Sequence, residues 1–235
     1  MEKALYGGRL RMAYKVAGNT ELEKEIRNAS KGGEILCPDI ECKAPILKYC
    51  HGDVRTPYFS HKAKGACDYA TFDKRDNDTF RDVRHALYEH FIRTGYCVLQ
   101  EEKVLKHHYA HLMIGPGQIQ SSEMVAIELG DTMTSLNDMQ KINDGYQAQG
   151  IPVNWLLIDD EQRHARCAYR RYLEWYLHCG ASNRHLVVIS SDASEVAEYK
   201  VICNSNEVSQ FIGSIDELDL IDGEIVLRKD EVGML

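Results

Sequence analysis

The chain has no apolar run near the ~18 residues that a membrane-spanning helix needs. Its first residues, MEKALYGGRLRMAYK, hold no apolar signal core, so the expectation is a cytosolic protein with no membrane role. No C-x-x-C occurs among its eight cysteines, which argues against the usual dithiol redox device. There is no internal repeat and no low-complexity stretch, which excludes a solenoid or a fibrous chain. Net positive charge is also missing, the formal charge being −8. That value neither supports nor excludes nucleic acid, because local stripes set phosphate binding.

What is present is ordinary for a globular chain: 235 residues, 44% apolar and 27% charged. This is enough for one large domain, or for a small module plus a medium one. The charge is uneven. Residues 1–95 hold 17 Lys+Arg against 14 Asp+Glu, and residues 96–235 hold 11 against 22. In a reducing compartment the cysteines would be thiols or metal ligands rather than disulfides.

ALYGGRLRMAYKV reads as two short strands around Gly7-Gly8, and NTELEKEIRNASKGG as a helix capped by Asn19 or Thr20 and stopped at Gly32-Gly33. A cysteine-rich, turn-rich stretch follows, and the polar TFDKRDNDT reads as a linker. From Phe80 the pattern changes. Phe80, Val83, Leu87 and Phe91 share one helical face that ends at Gly95. YCVLQEEKV, HHYAHLMI and EMVAIELG read as strands, SLNDMQKINDGYQAQG as a helix and IPVNWLLID as a buried strand. The order is helix, three strands, helix, strand. DEQRHARCAYRRYLEWYLHCG then reads as a helix, HLVVIS and YKVIC as strands, and LDLIDGEIVLR as a hairpin turning at Asp222-Gly223. The fold class expected is α+β. A β-rich N-terminal module spans 1–75, an α/β core 79–160, and a C-terminal helix and β extension 161–235.

LCPDIECKAPILKYCHGDVRTPYFSHKAKGACDY concentrates four of the cysteines and two of the ten histidines. Zinc needs four such ligands in a tetrahedron, usually as two close pairs on turns. Cys37 with Cys42, across Pro38-Asp39, and His61 with Cys67 supply two pairs, with a hairpin between them. Cys50-His51 is a competing pair, and four thiols packed as small buried hydrophobes is the alternative. A core built from ~35 turn-rich residues without a metal would be thin, which favours structural Zn²⁺.

With CPDIEC…YFSH…C followed by VRHALYEHFIRTGYCVLQE, AHLMI, VAIELG and YQAQGIPVNWLLI, the chain resembles the competence protein CoiA-like family over roughly residues 35–160. The resemblance implies a Cys/His zinc module, then a PD-(D/E)xK nuclease-like domain, and a role with DNA in uptake and recombination. A setting in defence against mobile DNA fits equally. Such a site needs carboxylates for Mg²⁺ or Mn²⁺ and a Lys or Gln to position water. Aligned on the family, His111 stands where the metal-binding Asp belongs. Glu128 survives, and the Lys or Gln two residues on is Gly130. His85 is retained on the first helix, between Arg81 and Glu89, whose charges are reversed. Glu101, Glu102 or Asp131 could restore a carboxylate, and His85, His111 and Glu128 could hold a softer metal. The candidate catalytic set is therefore Glu128, His111, His85 and Glu102.

Lys43, Lys48, Lys62 and Lys64, around the candidate zinc, form the candidate nucleic-acid surface, joined by Lys3, Arg9, Arg11 and Lys15. Strand alternation puts His107 and His111 on one face and His108 on the other. Arg163, Arg166 and Arg170 interleave with Tyr169, Tyr172, Trp175 and Tyr176 on one helix, an arrangement that suits packing or nucleic acid. Three functions stay open. The first is a nucleic-acid-associated protein, DNA before RNA, with a degenerate and inactive nuclease domain. The second is an active divalent-metal endonuclease with a remodelled site. The third is a non-catalytic subunit whose acidic half docks on a protein partner.

Overall fold

The computed structural model describes residues 1–52, 56–63, 67–69, 78–117, 123–131, 134–159, 185–201 and 208–228. The protein is mixed α+β and divides into two compact units: Met1–Arg81 with Lys103–Tyr109, and Asp82–Glu102 with Ala110–Leu235. Among the described residues no helix is long and apolar enough to cross a membrane.

In the first unit, β1 (Lys3–Tyr6) and β2 (Arg9–Met12) pair antiparallel across Gly7 and Gly8, whose φ values of 58° and 71° are those a tight two-residue hairpin requires. The strand expected to run on through MAYKV stops at Met12. Ala13–Ala17 is a short helix, α1, because Ala13 and Val16, three apart, both bury on its inner side. Helix α2 (Thr20–Gly32) begins as anticipated, with the Asn19 side chain accepting from the Leu22 amide at 3.0 Å, and ends at Gly33 in the left-handed region. Strands β3 (Leu47–Cys50) and β4 (Tyr58–His61) pair antiparallel with Leu47 opposite His61. Isolated bridges Leu5↔Leu36 and Leu36↔Ile46 join the two hairpins. Ala4, Val16, Ile26, Ile35, Leu47, Phe59 and Tyr69 form the core with Cys37 and Cys67. Tyr109 belongs to this core and stacks on Tyr69 at 4.8 Å between ring centres.

The remaining chain follows the helix, three strands, helix, strand order. Helix α3 (Asp78–Arg93) precedes β5 (Cys97–Leu105), β6 (His108–Gly115) and β7 (Val125–Gly130), and α4 (Leu136–Ala148) leads to β8 (Val153–Asp159). Phe80, Val83, Leu87 and Phe91 of α3 are all buried, as their spacing requires. Strands β9 (His185–Ser190), β10 (Val196–Val201) and β11 (Val208–Gly213) extend one seven-stranded sheet in the order β11-β10-β9-β8-β7-β6-β5. β7 and β8 run parallel, as do β8 and β9, whereas β6–β7, β9–β10 and β10–β11 are antiparallel. Helix α4 makes the crossover that parallel neighbours need. β11, VSQFIG, escaped the sequence reading because Ser, Gln and Gly break its apolar signal.

The hairpin of β12 (Leu218–Ile221) and β13 (Glu224–Leu227) turns at Asp222-Gly223, with φ of 52° and 82°. Two positive φ values are what Asp-Gly accommodates. The expected linker is described only from Asp78, which already opens α3. The expected helix at 160–180 lies outside the described residues, and with it Arg163, Arg166, Arg170 and their aromatic neighbours.

Candidate metal centre and the Glu128 site

The first unit brings Cys37, Cys42, His61 and Cys67 together, one ligand atom from each lying within 4.8 Å of all the others. Local turns aim them. The Cys37 amide donates to Pro45 O at 2.7 Å and closes the knuckle. Inside it the Cys42 amide donates to Asp39 O at 3.0 Å. Asp39 Oδ1 accepts from the Glu41 amide at 3.1 Å, the side-chain-stabilised turn that Asp favours. His61 ends β4 and is registered against Leu47.

Cys37 Sγ lies 3.8 Å from Cys67 Sγ, and Cys42 Sγ lies 3.2 Å from His61 Nε2. Zinc–sulfur bonds of about 2.3 Å at tetrahedral angles set sulfurs ~3.8 Å apart, so the thiol pair has the required edge length. Burial, reinforced by the Cys67 and Cys42 sulfurs, pushes the Cys37 thiol well above its ordinary value. A dication among these sulfurs is the charge that would hold them as thiolates. The four donors form a set able to hold a metal ion and compatible with structural zinc. The rival pair is divided: Cys50 is half-buried on β3, and His51 Nδ1 contacts Glu23 Oε1 at 2.7 Å.

The second unit places Glu128, fully buried, on β7, the strand flanked by β6 and β8. β6 and β7 are registered with Leu112 opposite Ile127, so His111 comes one step along, beside Glu128. His111 Nδ1 sits 2.6 Å from Glu128 Oε2 and 3.2 Å from the Leu129 amide nitrogen, donating to the carboxylate in one tautomer and accepting from the amide in the other. The Tyr146 hydroxyl of α4 donates to Glu128 Oε1 at 2.5 Å. Burial, then the Glu128 charge, raises the Tyr146 hydroxyl far above the ordinary phenol value. Both carboxylate oxygens are thus engaged inside the protein. The sequence reading paired His111 with Glu128 but missed Tyr146, although its apolar spacing with Met139 on α4 marks it as core-facing.

The other candidate acids and bases stand apart in role. Glu101, with φ 49° on β5, is fully buried and ion-pairs with buried Arg84 at 3.2 Å. Glu102 is half-buried on the same strand. Asp131 Oδ1 accepts from the Thr134 hydroxyl at 3.0 Å, and its own amide donates to Thr134 Oγ1 at 2.9 Å. His85 is half-buried on α3, and burial lowers its pKa, so the neutral ring is favoured. The strand alternation assigned to His107 does not hold. His107 precedes β6, in the turn that starts the hairpin, and its Nδ1 contacts Asp68 Oδ2 at 3.1 Å.

Lys43, Lys48 and Lys62 are exposed, Lys62 donating to Lys31 O at 3.4 Å. Lys64 lies outside the described residues. Lys3 is only 7% exposed and so drops from the expected basic surface, and Lys15 sits on α1 rather than on a strand. No family model matches the chain, and no curated protein matches it significantly in sequence.

Proposed function

We propose that this chain is a CoiA-like, nucleic-acid-associated protein. In this reading Zn²⁺ staples the N-terminal module, and the nuclease-like domain serves as a scaffold that does not cleave, in DNA processing, competence or defence against mobile DNA. The observation that carries the non-cleaving part is the closure of Glu128. A nuclease carboxylate must present an oxygen lone pair to a hydrated Mg²⁺ that a phosphate can reach. Here Tyr146 donates to one oxygen, His111 Nδ1 lies 2.6 Å from the other, and the residue has no solvent exposure. The helix, three strands, helix, strand order and the parallel β7–β8 pair support the nuclease-like fold. The Cys₃His donor set and its edge length support zinc.

Exposed Lys43, Lys48 and Lys62, close in sequence to the ligands, support a phosphate-facing surface on the zinc module. Two assays on zinc-replete protein test the proposal. Incubation with single- and double-stranded DNA and RNA in Mg²⁺ or Mn²⁺ is expected to give no cleavage that Glu128→Ala abolishes. Cleavage lost in that variant would replace this reading with an active endonuclease. Binding of duplex DNA across a salt series is expected to weaken in a Lys43/Lys48/Lys62→Ala triple variant. Its log–log slope should be shallower by roughly 2.7 if all three lysines contact phosphate. Absence of any nucleic-acid affinity would move the function to a protein-docking subunit.

A further inference from the structure

Beside the Cys₃His set lie three carboxylates that are not among the four ligands. Asp39 and Glu41 belong to the knuckle between Cys37 and Cys42, and Asp68 follows Cys67. One ammonium reaches all three. Lys103 Nζ lies 2.9 Å from Glu41 Oε2, 3.4 Å from Asp39 Oδ1 and 3.6 Å from Asp68 Oδ2. Lys103 is 35 residues or more downstream of these acids, yet the segment Lys103–Tyr109 belongs to their unit. Its side chain is 28% exposed and passes over the Tyr109 ring at 5.9 Å.

Asp39 is the pivot. Its side chain is 3% exposed, it accepts from the Glu41 amide, and Cys67 Sγ lies 3.8 Å from its Oδ2. A carboxylate this buried needs a cation or several donors to remain charged.

We propose that Lys103 is a positioning residue of the metal centre: a single ammonium that ties the Cys37–Cys42 knuckle to the Cys67 turn through Asp39, Glu41 and Asp68. This rests on the reading of the four ligands as a metal site. The two ligand pairs come from separate turns, so the tetrahedron forms only if those turns are held in register, and carboxylates on both sides of one cation hold them so. Charge acts in the same direction. Three thiolates, a neutral imidazole and a dication sum to −1, and the three carboxylates add to it, so a fixed cation favours the loaded centre. Outer partners of this kind typically alter metal affinity 10–100-fold when removed. The Glu41 contact alone would contribute little, since that side chain is 72% exposed. The Asp39 contact, in buried surroundings, carries the effect.

The test measures zinc affinity of the full chain by competition with a chromophoric chelator, for the wild type, Lys103→Met, Lys103→Arg and Lys141→Met. Lys141 is an exposed lysine of α4 and serves as the control. Lys103→Met is expected to weaken zinc at least tenfold, Lys103→Arg to recover most of the loss, and Lys141→Met to match the wild type. The Co²⁺-loaded Lys103→Met protein should also show shifted ligand-field bands, which a general loss of stability would not produce. Should Lys103→Met not fold, Lys103→Gln replaces it in the same comparison. Wild-type affinity and an unchanged Co²⁺ spectrum in the folded variant overturn the positioning role while leaving the metal site intact. A wild-type chain that takes up no zinc overturns both.

Discussion

Replacing Glu128 separates a structural carboxylate from a catalytic one. In Glu128→Ala the fully buried Tyr146 hydroxyl loses this acceptor, while His111 Nδ1 keeps the Leu129 amide. Losing the hydroxyl's acceptor costs about 1–3 kcal/mol and the cavity left by the deleted carboxylate adds to it, so the variant should lose roughly 2–5 kcal/mol. That is a large part of the roughly 5–15 kcal/mol by which domains are stable. Glu128→Gln keeps the shape. Its amide oxygen still accepts from Tyr146 and its NH₂ can face His111, so the loss should be only about 1 kcal/mol. Tyr146→Phe leaves one carboxylate oxygen without its donor and should fall between them, at about 1–3 kcal/mol. Urea unfolding of zinc-saturated protein reads these as shifts in midpoint at constant m. Carboxylates held for metal catalysis are often strained, and removing one leaves stability unchanged or raised. A Glu128→Ala protein within about 0.5 kcal/mol of the wild type, or more stable, would therefore refute the reasoning from the closed triad.

Two other outcomes follow from the same structure. Metal analysis should find one zinc per chain in the wild type and none in Cys67→Ser, and stripping the metal with a chelator should lower the unfolding midpoint; full stability without metal would reduce the four ligands to ordinary core. Asp219 is held below the ordinary carboxylate range: burial opposes its ionisation, but the Tyr96 hydroxyl at 2.6 Å and Arg228 at 2.7 Å outweigh it. A depressed folded-state pKa means stability that is present above the unfolded value of about 3.9 and is lost as pH falls toward the folded value. Asp219→Asn should thus flatten the acid limb of a stability–pH curve below about pH 4 and lower the plateau above it, and an unchanged acid limb would exclude this contribution.

Elements with strong local physics were legible in the residues. Asn19 and Gly33 bracket α2 because one supplies a side-chain acceptor and the other tolerates a left-handed φ. Asp222-Gly223 makes its hairpin for the latter reason, and the stripe Phe80, Val83, Leu87, Phe91 buries one side of α3. β11 and α1 were not legible: a polar edge strand has no period to find, and a five-residue helix too little length to show one. The Cys37, Cys42, His61 and Cys67 cluster was legible because Cys and His at paired spacings suit a metal-binding set.

The sequence pointed to Cys37, Cys42, His61 and Cys67, each pair close in the chain, with Cys50-His51 as a rival, and the tertiary structure decided that these four meet. His111 and Glu128 were singled out together, and the structure registers them on neighbouring strands β6 and β7. Whether Glu128 is open or closed was decided only in three dimensions, by Tyr146 arriving from α4 at a sequence distance of 18 residues. The same holds for Lys103, whose carboxylate partners lie 35, 62 and 64 residues away. A lysine on a strand looks the same in sequence whether it faces water or three acids. The difference is one of spatial proximity, which chain spacing does not encode.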